Sequence, residues 1–159
     1  MKFNSALKNF ILVLFSTLLI SACSTAKKAA VDTVDDVYTG TDTVEYLANG
    51  VPDRVFFATN KSSLTTRSRD TLIKQATYLR KNKDLTVTIE GHADERGTRE
   101  YNLALGERRA NAAKDYLMTY GVSGKRISVI SYGKEKPVNP ASSQLAWSQN
   151  RRSVTIKAN

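Results

Sequence analysis

Residues 51–159 predict an α/β (α+β) domain, with helices packed on one face of a mixed sheet. Two patterns carry that reading. Residues 85–90 and 152–157 alternate apolar and polar side chains as half-buried strands do, and residues 65–81 and 100–120 hold apolar stripes at helical spacing. The total length of 159 residues suits one domain with a tail, and 41% apolar content supplies a modest core.

Taken in order, Arg54-Val55-Phe56-Phe57 is a short apolar run and reads as a buried strand. Over 65–81, Leu72, Ile73, Ala76 and Leu79 recur on one side of a helix while Arg69, Lys74, Arg80 and Lys81 fall elsewhere. The strand at 85–90 follows. The longest helix, 100–120, has Leu103, Gly106, Ala110, Ala113 and Leu117 as its core stripe, small enough to lie close on a sheet, and Gly121 ends it. Residues 127–132 form a third strand. Pro137 and Pro140 make 136–140 a loop, 142–149 a short helix around Trp147, and 152–157 the last strand. The predicted order is β-α-β-α-β-(α)-β.

The chain before this domain has another character. Lys2 and Lys8 precede an apolar run of 11 residues, Phe10 to Ile20, and the small Ser21 and Ala22 follow. A spanning helix needs roughly 20 apolar residues, so 1–22 reads as an export signal with a processing site. Ile20-Ser21-Ala22-Cys23 has the form of a bacterial lipobox, which marks Cys23, the only cysteine, for acylation. Each buried CH₂ contributes about 0.8 kcal/mol, so several acyl chains anchor stably where one does not. Residues 23–50 lack an apolar stripe and read as a solvated tether, about 30 Å long as a coil and about 95 Å at full stretch. Charge divides the same way: 1–22 carries +2, 23–50 carries −3 and 51–159 carries +10.

Residues 91–98, Gly-His-Ala-Asp-Glu-Arg-Gly-Thr, lie between a strand and the N-terminus of the long helix, where ligands often bind. One face of that helix then carries Asn102, Leu105 and Arg109. Asp94 and Arg109 would give one pocket two opposite charges, suited to a zwitterion: ammonium on the carboxylate, carboxylate on the guanidinium fork. The same spacing fits a structural salt bridge beside a solvated helix face. His92 with Asp94 and Glu95 has the residue types of a metal or acid–base site. However, zinc takes three or four protein ligands, the chain has one His, and the domain has no Cys. No Gly-x-Ser-x-Gly elbow accompanies any serine. The reading is therefore non-enzymatic, with no cofactor and no metal. Arg67, Arg69, Arg108, Arg109, Arg151 and Arg152 could form a basic patch for nucleic acid. An exported, lipid-anchored chain meets little nucleic acid, so anionic wall polymer, acidic partner proteins or plain surface solvation account better for the charge.

The run from Gly91 to Asn102, followed by Leu105 and Glu107-Arg108-Arg109-Ala110, resembles the signature of OmpA-like peptidoglycan-binding domains. The lipobox, the tether, Tyr132-Gly133-Lys134-Glu135-Lys136-Pro137 and Asn150-Arg151-Arg152 narrow the resemblance to the family of peptidoglycan-associated lipoproteins (Pal). It covers about 51–157 and the anchoring signal. The resemblance implies an OmpA-like fold that binds the peptide stem of peptidoglycan non-covalently. By it, Asp94 and Arg109 grip diaminopimelate, and Thr98, Asn102 and Leu105 belong to the same pocket. It implies lipid anchoring through Cys23 in the outer membrane, facing the periplasm, since Ser24 rather than Asp follows the cysteine. It also implies TolB and other Tol proteins as partners and a part in cell division. The family's first strand usually ends in an aromatic and an Asp; here the run is Ala58-Thr59-Asn60-Lys61. Asn60, and Thr59 beside it, keep hydrogen-bonding capacity without the charge, which implies a less anionic pocket. Two other readings fit the same features: a wall anchor working outside any Tol system, and a surface lipoprotein whose basic domain binds host or acidic polymer.

Overall fold

A computed structural model describes residues 31–32 and 36–158. The segment read as an export signal, Cys23 and residues 24–30 and 33–35 of the expected tether lie outside the described residues. Among the described residues eight strands and three helices follow one another: β1 (Val31–Asp32), β2 (Val37–Tyr38), β3 (Tyr46–Ala48), β4 (Val51–Pro52), β5 (Arg54–Phe56), α1 (Thr66–Lys81), β6 (Val87–His92), α2 (Arg99–Thr119), β7 (Ile127–Gly133), α3 (Gln144–Asn150) and β8 (Arg152–Lys157). A 3₁₀ turn, Gly124–Arg126, leads into β7.

Four strands form the main sheet in the order β5-β8-β6-β7. β6 and β7 are parallel, with Ile89 opposite Val129, so the chain must cross over between them, and α2 is the crossover. β8 is antiparallel to both β5 and β6, which inserts the last strand of the chain into the middle of the sheet. The expected mixed sheet with helices packed on it is thus the fold observed.

The alternation in β6 buries Val87 and Ile89 completely. They meet Val55 and Phe57, Leu72, Ala76 and Leu79 from α1, and Ala110, Ala113 and Leu117 from α2. Each such large apolar side chain contributes roughly 1.5–3 kcal/mol on burial. α1 starts where the Thr65 hydroxyl accepts the Ser68 amide at 3.1 Å, and α2 where the Thr98 hydroxyl accepts the Tyr101 amide at 3.2 Å. Gly121, with φ of 83°, ends α2 as expected.

Three expectations are corrected. β6 begins and ends later than the predicted 85–90, because Leu85 closes a turn onto the Asn82 carbonyl while Gly91 and His92 continue the pairing with β7. That continuation works because Gly91 and Gly106 have no Cβ: one on Gly91 would lie 1.8 Å from the Gly106 carbonyl oxygen. Ile73 and Leu103 are only half-buried, and Gln75, 0% exposed, takes a core position instead. Its amide donates to the Pro52 carbonyl at 2.7 Å and its oxygen accepts from Thr155 at 2.8 Å. Finally, residues 36–50 are not solvated tether. Val37, Tyr38 and Leu47 are buried, and the Tyr38 ring stands edge-on to Phe56 at 4.9 Å. β3 and β4 form a hairpin across Asn49-Gly50.

Candidate functional site

The C-terminal end of β6, the turn after β5 and the N-terminus of α2 converge, and the charged side chains gather there. Arg109 projects from α2 and is 0% exposed. Its guanidinium donates to the carbonyls of Lys61 at 2.9 Å, His92 at 2.8 Å and Ala58 at 3.1 Å. One side chain thereby fastens the Ala58–Lys61 turn to the end of β6. Burial and then the neighbouring charge of Arg151 push its pKa down to about 9, which leaves it positive at neutral pH.

Asp94 follows β6 and is buried. Its Oδ1 accepts from the Arg96 amide at 3.1 Å and from Arg96 Nε at 3.0 Å. Its Oδ2 accepts from Arg96 Nη2 at 2.7 Å and from Arg151 Nη1 at 3.3 Å. Burial alone would raise the pKa; the bonds and charge of Arg96, with Arg151, outweigh it and hold the carboxyl below its ordinary value. Among the described residues Asp94 and Arg109 form no ion pair.

The other expected residues frame this centre. Thr98 is exposed and caps α2. Asn102 is buried and donates to the Arg96 carbonyl at 2.9 Å, fixing the loop that carries Asp94, and Leu105 is buried one turn on. Lys134 fastens the same loop through the Gly97 carbonyl at 2.7 Å. Asn60 is exposed with φ of 56°, a left-handed conformation that Asn adopts more readily than most residues.

Three residues that the sequence reading left without a role in the site, Arg151, Asp36 and Arg96, belong to it, and they join Thr59. Arg151, 0% exposed, donates to the Phe57 carbonyl at 3.0 Å as well as to Asp94. It also pairs with Asp36 at 2.9 Å. Asp36 in turn accepts from Thr59 and Gln144. Arg96 reaches Thr59 at 3.3 Å and lies over the Trp147 ring at 4.3 Å. The result is a closed ring: Asp94, Arg96, Thr59, Asp36, Arg151 and back to Asp94. Arg151 was visible as part of Asn150-Arg151-Arg152, but nothing in the spacing ties it to Asp94, because β8 comes last in the chain and first beside β6. Among the described residues no group of His, Cys, Asp and Glu could hold a metal ion, and no helix is long and apolar enough to cross a membrane.

The profile of the OmpA family matches residues 56–151, the stretch that holds Thr59, Asp94, Arg96, Arg109 and Arg151 but not Asp36. The chain is 57% identical over 106 residues to the peptidoglycan-associated lipoprotein of Rhizobium meliloti, a match covering 67% of this chain and 60% of that protein. It is 42% identical over 151 residues to the peptidoglycan-associated lipoprotein of Brucella melitensis, covering 91% of this chain and 89% of that one. The crystal structure of the peptidoglycan-associated lipoprotein from Burkholderia pseudomallei superposes with a TM-score of 0.65 at 37% identity, over 67% of this chain and 90% of that chain.

Proposed function

The chain belongs to the OmpA family and, within it, to the peptidoglycan-associated lipoproteins, and from that premise we propose that it ties the outer membrane to the cell wall without catalysing a reaction. In this reading Cys23 is acylated and held in the outer membrane, the chain after it spans part of the periplasm, and the domain from 51 onward binds peptidoglycan through the diaminopimelate of the stem peptide. TolB and other Tol proteins are its further partners, and its work is envelope integrity during division.

One observation supports the pocket most: a carboxylate kept charged, Asp94, stands beside two fully buried guanidinium groups, Arg109 and Arg151, within the stretch that the OmpA profile matches. Diaminopimelate offers an ammonium and a carboxylate on one carbon. The ammonium would take the face of Asp94 that Arg96 now occupies, since the carboxylate already accepts four bonds. Arg96 can give way, as its side chain is 38% exposed. The carboxylate would lie against the cations, and the longest bond of Arg109, 3.1 Å to Ala58, is the one it would replace. Thr98, Asn102, Leu105 and Asn60 shape the walls.

The test is co-sedimentation with purified sacculi, followed by calorimetric titration with a diaminopimelate stem peptide. Asp94→Asn keeps the shape and removes the charge. Losing one partner of a desolvated charge pair costs roughly 2–5 kcal/mol, so affinity should fall about thirtyfold or more. A stem with lysine in place of diaminopimelate lacks the second carboxylate and should bind more weakly to the unaltered protein. Equal affinity of folded Asp94→Asn and the unaltered protein would return Asp94 to a structural salt bridge.

A further inference from the structure

Asp36 lies in the stretch expected to be tether, yet its carboxylate is bound as a ligand's would be. Arg151 Nη2 approaches it at 2.9 Å, and the Thr59 hydroxyl and the Gln144 amide both donate to it. A buried guanidinium, a hydroxyl and an amide converging on one carboxylate are the ingredients of a carboxylate-binding subsite. This subsite adjoins Asp94, because the same Arg151 donates to Asp94 at 3.3 Å, and it adjoins Asn60 through Thr59. The segment is also latched. Val37 and Tyr38 are buried directly after Asp36, and Tyr38 packs on Phe56 at 4.9 Å. The backbone at Asp36 has φ of 54°, the left-handed bend that turns the carboxylate inward.

We propose that Asp36 and the Val37-Tyr38 latch form an internal strap whose carboxylate holds the Arg151 side of the ligand-carboxylate position, next to Arg109, so that stem peptide must displace it to bind. The proposal rests on the reading of the pocket in the preceding subsection. Arg96 on Asp94 is the matching stand-in for the ligand's ammonium. With both charges satisfied from within, the site is closed in the absence of wall without leaving a buried charge unpaired. A strap closed nine-tenths of the time lowers apparent affinity about tenfold.

The test is calorimetric titration of the full chain in detergent micelles with a diaminopimelate stem tripeptide, with sacculus co-sedimentation alongside. Asp36→Asn removes the charge and suits the left-handed backbone; Tyr38→Ala removes the latch, with circular dichroism reporting the fold of each. The expected result is binding tightened by about threefold to tenfold in Asp36→Asn, and likewise in Tyr38→Ala wherever that variant folds. Hydrogen exchange at the amides of Val37 and Tyr38 should rise when the unaltered protein is saturated with tripeptide. If the unaltered protein binds and Asp36→Asn binds equally or more weakly, the strap is refuted while the pocket stands. If neither the unaltered protein nor Asp36→Asn binds tripeptide or sacculi, pocket and strap fall together.

Discussion

Arg109→Leu should cost the domain a large part of its stability, independently of any ligand. The guanidinium holds three backbone carbonyls, of Ala58, Lys61 and His92, with no exposure to solvent. Leucine keeps apolar contact with Phe57, whose ring centre lies 5.3 Å from the guanidinium, and removes a donor from all three carbonyls, of which Ala58 keeps the Lys61 amide at 3.2 Å. The His92 carbonyl is the most enclosed, and an unmet buried acceptor costs about 1–3 kcal/mol. Those of Ala58 and Lys61 lie nearer water and lose less. Removing a buried charge returns part of the cost, so the net should be about 2–4 kcal/mol. Small domains have only about 5–15 kcal/mol in total. For a domain of this size the midpoint should drop by about 8–17 °C. Urea unfolding followed by circular dichroism measures it, with the slope unchanged. Arg109→Lys keeps the charge but cannot fork to three acceptors, and should fall between. An Arg109→Leu protein within about 0.5 kcal/mol of the unaltered one would refute the reasoning, as would Arg109→Lys less stable than Arg109→Leu.

Gly91→Ala would set a methyl 1.8 Å from the Gly106 carbonyl oxygen, backbone against backbone, so β6 and α2 must part; the loss should be about 3 kcal/mol in the same urea assay. His92 is 1% exposed, and burial, then the charges of Arg152, Lys136 and Arg54, push its pKa down to about 3. The unfolded chain therefore binds the proton first, and stability should fall as pH drops from about 6.5 toward 3, by about 2 kcal/mol on reaching pH 5. Asp94, also depressed, adds to the loss only as pH falls below the ordinary carboxylate value. Unfolding of His92→Phe at pH 7 and pH 5 should show that slope flattened. Cys23→Ser removes the thiol that acylation needs; membrane fractionation should find the protein out of the outer membrane, and normal outer-membrane amounts without wall contact would contradict the lipobox.

The elements with strong periodicity were legible. β8 has the predicted bounds and α1 starts one residue late, because alternation and a threonine cap leave few alternatives. The order of strands was not legible, since nothing local says that 152–157 enters the sheet beside 87–92. That gap hid the role of Arg151, which reaches Asp94 only through this insertion. The hairpin of β3 and β4 carried a local signal, Asn49-Gly50 with Gly50 at φ of 73°, overlooked because the flanking strands are two and three residues long. Asp94 and Arg109 both lie where β6 meets α2, as their places in the sequence predict. The alternative of a salt bridge between them is not what the structure shows, because the Arg109 fork is taken by three backbone carbonyls. Spacing on a helix cannot show that.

Mapping where diaminopimelate lands tests the central claim most directly. Isotope-labelled protein in detergent micelles, titrated with a diaminopimelate stem tripeptide and followed by amide NMR, should show saturable shifts at Asn60, Asp94, Thr98 and Asn102. The same shifts should be lost in Asp94→Asn. Saturable shifts confined to other faces of the domain, or none at millimolar tripeptide, would contradict it.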